Sequence, residues 1–76
     1  MTLVSFDYYA QGETGNDDYR FDTERQAREK FAEFKAVIQE NFAHIARVEV
    51  IDGEGVFGMR DPADGSWARV TIEPPR

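Results

Sequence analysis

TERQAREKFAEFKAVIQENF, residues 23–42, decides the architecture. Ala27, Phe31, Phe34, Ile38 and Phe42 recur at spacings of four, three, four and four. At about 100° per residue they draw one apolar stripe, with Arg28, Glu29, Ala32, Glu33 and Gln39 mostly on the other side. Thr23 followed by Gln26 fits a capping box, in which each side chain satisfies a free N–H at the helix start. Glu24 in the first turn suits the helix dipole. The spacing predicts one amphipathic helix ending at Asn41 or shortly after, and a single-sided stripe needs a sheet to cover.

Outward from the helix the period changes to two. In TLVSFDYY (2–9), Val4, Phe6 and Tyr8 alternate with Ser5 and Asp7, the pattern of a half-buried strand. Residues 11–18 have a turn composition, and Tyr19-Arg20-Phe21 is short enough to be a hairpin arm or no strand at all. Beyond the helix, residues 46–52 alternate with Ala46, Val48 and Val50 on one face and Arg47, Glu49 and Ile51 on the other. D-G-E-G (52–55) turns into a short strand, VFGMR (56–60), and D-P-A-D-G (61–65) is a second turn. SWARVTIE (66–73) follows, with Ala68, Val70 and Ile72 opposed to Trp67, Arg69 and Thr71, and Pro74-Pro75 stop it. The order β-(β)-α-β-β-β implies an α+β domain over residues 1–76, with 74–76 as an extended Pro-containing tail. Its helix packs on one face of a small, mainly antiparallel sheet. The second face is expected to carry Arg47, Glu49, Trp67, Arg69 and Thr71, and to be wet or paired with another chain.

Seventy-six residues lie near the lower limit for a core without disulfide or metal, and the chain has no cysteine, so thiol chemistry and Cys-based metal sites are excluded. Residues 1–9 lack a signal-peptide pattern, and no apolar run approaches the ~20 residues of a membrane span. A soluble, cytoplasmic protein is expected. The net charge of −6 is uneven: residues 1–24 carry −5, residues 25–47 carry +2, and residues 48–76 carry −3. Direct binding to nucleic acid or an anionic membrane is disfavoured, because phosphate contact needs clustered Lys and Arg. A basic protein surface is the favoured partner.

Sharper motifs fail on context. Gly53-Glu54-Gly55-Val56-Phe57-Gly58 matches the dinucleotide fingerprint letter for letter, but a β-type run follows where a helix must open. The carboxylates at residues 13–24 fit no calcium-loop register, and Asp61 to Gly65 fits none either. His44 is the single histidine, at a helix–strand junction, and no triad is arguable around it. Phe6, Tyr8, Tyr9, Phe57 and Trp67 supply rings that stack bases in some sheets, but the basic groove that accompanies such rings is missing. No catalytic residue, metal ligand or cofactor is assigned. The helix cations Arg25, Arg28, Lys30 and Lys35 form a small basic cluster suited to an acidic partner, or to the acidic loop of a second copy.

YRFDTERQAREKF, RVEVIDGEG, GMRDPADG and WARVTIE together give a layout that resembles the small single-helix, antiparallel-sheet proteins among phage-encoded anti-CRISPR inhibitors. The resemblance rests on size, element order and acidity. It implies an inhibitor whose carboxylates mimic nucleic acid and occupy a Lys/Arg surface meant for DNA or RNA. From the residues, the leading expectation is a non-catalytic protein-binding module docking through two acidic loops, with Glu13, Asp17, Asp18, Asp22, Glu54, Asp61 and Asp64 as contacts. The alternative is a structural or homodimeric protein that self-associates through Arg47, Ile51, Trp67 and Arg69. A small enzyme or ligand binder, the third class, requires a pocket with converging polar groups.

Overall fold

The structure, a computed structural model, describes residues 2–73; the tail expected at 74–76 lies outside the described residues. The elements are β1 (Thr2–Ala10), β2 (Glu13–Phe21), α1 (Glu24–Asn41), β3 (Glu49–Gly53), β4 (Val56–Arg60) and β5 (Trp67–Glu73). They build an α+β fold with one helix on a five-stranded antiparallel sheet of order β2-β1-β5-β4-β3. The strands that begin and end this series, β1 and β5, pair with each other in the interior of the sheet.

The helix forms as its sequence predicts. Thr23 Oγ1 accepts from the Gln26 N–H at 3.2 Å, and the Phe42 N–H closes the last turn on the Ile38 carbonyl at 3.1 Å. The return bond of the capping box, from the Gln26 side chain, is not formed among the described residues. Ala27 and Ile38 on the stripe are fully buried, and Phe31, Phe34 and Phe42 pack against the same core. From the sheet, Val4 lies opposite Ile72, and Val70 lies between Phe6 and Phe57. Burying each such side chain contributes about 1.5–3 kcal/mol, which is what holds a domain this small together.

Two sequence expectations are corrected. Residues 13–18 are not a loop: β2 runs unbroken for nine residues and pairs with β1 from Thr2↔Phe21 to Ala10↔Glu13. The turn is only Gln11-Gly12, both at positive φ (54° and 82°), the two-residue turn whose twist suits a hairpin. The Tyr8 ring lies over Gly15 opposite it, where an added Cβ would collide with the ring, so an aromatic side chain fills the place a side chain at 15 would take. The strand after the helix is also shorter than 46–52. Residues 42–48 are mainly turns, and β3 begins at Glu49.

Candidate docking surface

Strand register fixes where each candidate points. On β2, Glu13 and Asp17 pair with Ala10 and Phe6 on the helix side of the sheet, whereas Asp18 pairs with Ser5 on the open side. Asp22 follows the strand at the far end from Glu13. The pleat and the strand length therefore divide what the sequence shows as one cluster. All four acids are exposed, and the carboxylates of Glu13, Asp17 and Asp22 meet no ion pair or hydrogen bond among the described residues. Asp18 makes one long contact, accepting from the Asn16 amide at 3.4 Å.

The second acidic group behaves differently. Asp61 Oδ1 accepts from the Ala63 N–H at 2.9 Å, and Asp64 Oδ1 accepts from the Ser66 N–H at 2.8 Å and the Ser66 hydroxyl at 2.6 Å. The Asp61 N–H to Ser66 carbonyl bond, 2.7 Å, closes the loop. These two carboxylates shape the β4–β5 turn, as Asp does when its oxygen reaches the backbone two residues on. The Ser66 side-chain bond, then the Ser66 backbone bond, holds the Asp64 carboxyl below its ordinary value of 3.8. Glu54 sits in the β3–β4 turn, across the full width of the sheet from Asp22, about 19 Å at the usual strand spacing.

The uncovered face of the sheet carries Glu49, Trp67 and Arg69 as expected, in a row whose other members, Asp7, Asn16 and Arg60, sequence reading missed. Asp7 accepts from the Asn16 side-chain amide on one side, and its other oxygen lies 3.6 Å from Arg69. Arg69 in turn stands 5.6 Å from the Trp67 ring centre. Beyond Trp67, Arg60 donates to Glu49 at 2.5 Å. The Gln11-Gly12 turn carries the signal for the first half, since a two-residue turn there forces Asp7 opposite Asn16. The Asp7–Arg69 half follows from the β1–β5 pairing, which has no local signature.

Of the residues expected in self-association, Ile51, Trp67 and Arg69 share a shallow groove of about 210 Å³ floored by Gly58, with Arg60 at its side. Arg47 does not join them; it lines an open recess of about 590 Å³ with His44, Asp61 and Pro62. The pleat turns Ile51 and Val50 to opposite faces of β3, and both are exposed (58% and 52%), Val50 because α1 packs on β5, β1, β4 and β2 but stops short of β3. A third cleft, about 400 Å³, opens between the end of α1 (Val37, Phe42) and Tyr8, Tyr9 and Trp67.

The helix cations are engaged within the chain. Arg28 pairs with Glu24 at 2.8 Å, Arg25 with Glu29 at 4.0 Å and Lys30 with Glu33 at 3.3 Å. Lys30 also lies over Tyr19 and Lys35 over Phe57. Among the described residues no group of three or more His, Asp or Glu side chains is placed to hold a metal ion, and no helix is long and apolar enough to cross a membrane. Compared with known proteins, the chain matches no family model, no curated protein and no solved structure.

Proposed function

We propose that this chain is a non-catalytic binding module that docks on a basic protein surface through the acids of β2 and its C-terminal junction: Glu13, Asp17, Asp18 and Asp22. In its specific form it is a cytoplasmic inhibitor that occupies the Lys/Arg surface of a nucleic-acid-handling complex such as a CRISPR effector. The observation that carries the reading is uneven compensation. The helix acids Glu24, Glu29 and Glu33 sit in ion pairs, whereas Glu13, Asp17 and Asp22 have none among the described residues. Uncompensated carboxylates along one sheet edge favour a cationic surface and speed encounter with it. Asp61 and Asp64 spend their carboxylates within the β4–β5 turn and add least to this set, whereas Glu54, which also has no ion pair among the described residues, remains a further contact.

The test is competition. Labelled target DNA on guide-loaded CRISPR effectors should be displaced by the chain, less so as salt rises. The Glu13→Gln/Asp17→Asn/Asp18→Asn triple variant should fold normally and displace poorly. Displacement that ignores both salt and the triple variant overturns the electrostatic reading.

A second reading, self-association through the open face, draws on the exposure of Ile51 at the edge of the Gly58 groove. Light scattering at high concentration decides it: a strict monomer ends this reading, and a dimer dispersed by Ile51→Lys sustains it.

A further inference from the structure

The two edges of the sheet are unlike. β3 is five residues long, and short edge strands are one of the ways proteins avoid unwanted pairing. β2 is nine residues long, pairs with β1 without a bulge, and contains neither proline nor lysine. Its tight turn makes Ala10–Glu13 a hydrogen-bonded pair, and antiparallel alternation extends this to Gly15, Asp17, Tyr19 and Phe21. Thr14, Asn16, Asp18 and Arg20 therefore aim their N–H and C=O groups away from β1. They form a row about 20 Å long to which no described strand pairs.

The side chains flanking that row select what pairs with it. Glu13 and Asp17 lie on the helix side and Asp18 on the open side, so negative charge borders the edge on both faces, while Arg20 offsets it only at the C-terminal end. A second copy is a poor match. The symmetric antiparallel register that overlaps all nine residues centres on Asp17 and sets Asp17 against Asp17, and like charges directly opposite are destabilising, while shifted registers give up part of the edge's main-chain bonds. A phosphate backbone is repelled outright.

We propose that the β2 edge takes an extended basic segment of a partner protein as a sixth strand. The segment hydrogen-bonds to Thr14, Asn16, Asp18 and Arg20, with lysine or arginine on both of its faces beside Asp17 and Asp18. Main-chain pairing supplies the affinity and the flanking acids the selectivity, as in strand-addition recognition generally. This rests on the basic-surface docking proposed above and gives that contact its form.

The experiment uses the full chain, labelled with nitrogen-15, and capped peptides of nine residues, the length of β2. The first peptide contains lysine and threonine. The second is the same sequence N-methylated at every second residue, in both phases. The third replaces lysine with serine. The lysine peptide should slow hydrogen exchange at the Thr14, Asn16, Asp18 and Arg20 amides, and each of the other two should bind at least about tenfold more weakly, the second for want of main-chain bonds and the third for want of charge. Equal, salt-sensitive binding of the N-methylated peptide overturns strand addition while leaving acidic docking intact. Equal binding of the uncharged peptide overturns the choice of a basic partner. If neither lysine peptide binds, the docking reading falls together with this one.

Discussion

Replacing Ile38 with alanine removes three carbons from one of the largest fully buried side chains in the protein. At about 0.8 kcal/mol per buried CH₂, the transfer loss alone is about 2.4 kcal/mol. Ile38 shares its cluster with Val4, Phe57, Val70 and Ile72, on a rigid sheet that cannot collapse far into the space. A residual cavity then raises the loss toward about 4 kcal/mol, and alanine's better helix propensity returns a few tenths. A domain of this size has about 4–11 kcal/mol of stability, so one substitution removes a large part of it. With a urea slope of about 1 kcal/mol/M, the midpoint should fall by roughly 2–4 M. Far-UV circular dichroism is a suitable probe, because it reports loss of the helix and sheet together and does not depend on the cleft that Trp67 shares with Val37. Val37→Ala, one residue away but 41% exposed, is the control and should cost within about 0.5 kcal/mol. A loss below about 1 kcal/mol for Ile38→Ala, or equal losses for the two, would refute the helix orientation.

Thr23→Ala removes the acceptor of the Gln26 N–H and should cost about 1 kcal/mol in denaturant unfolding, and Thr23→Asn should restore most of it. Gly15→Ala should destabilise by about 1 kcal/mol or more despite alanine's smaller backbone entropy cost, because the new Cβ displaces the Tyr8 ring. In a Tyr8→Ala background the same change should be neutral or favourable, and a double-mutant cycle without coupling would rule out the ring-over-glycine account. Because the folded-state Asp64 pKa lies below 3.8, its stabilisation is full above that value and is lost as pH falls through the folded value. The stability gap between the native chain and Asp64→Ala should therefore be constant above about pH 5 and close in acid; a gap that persists in acid contradicts the Ser66 bonding.

What the sequence reveals is set by where burial leaves a period. The Ala27–Phe42 stripe and the Ala68, Val70, Ile72 alternation are legible because each packs against apolar atoms on one side only. Most of β2 is not: Tyr19 and Phe21 reach the helix and core, but Glu13, Asp17 and Asp18 are exposed on whichever face they occupy, so residues 13–18 leave no alternation to read. Its strand character comes instead from the Gln11-Gly12 turn and the long apolar partner β1. The candidate site is partly legible for the same reason: acidity is visible along the chain, but the division of acids into free carboxylates and turn-formers depends on bonds such as Asp64 to Ser66. Parity along the sequence groups Arg47 with Ile51, but that parity holds only within β3, which begins at Glu49, after the turns that carry Arg47.

The pairing of β1 with β5 has a consequence for how the protein is made. A chain emerging from the ribosome can form the β1–β2 hairpin, the helix and the β3–β4 hairpin as it goes, since each is local. The helix can already meet the first hairpin, where Phe34 stacks on Phe6, but the two hairpins cannot join until β5 appears, because β5 is the strand that bonds to both and brings Ala68, Val70 and Ile72 beneath the helix. Until then the apolar face of the β3–β4 hairpin and the part of the helix stripe that β5 covers stay wet. Completion of the fold is thus held back until β5 has cleared the exit tunnel, and it then proceeds at the slower pace that contacts between distant parts of a chain impose.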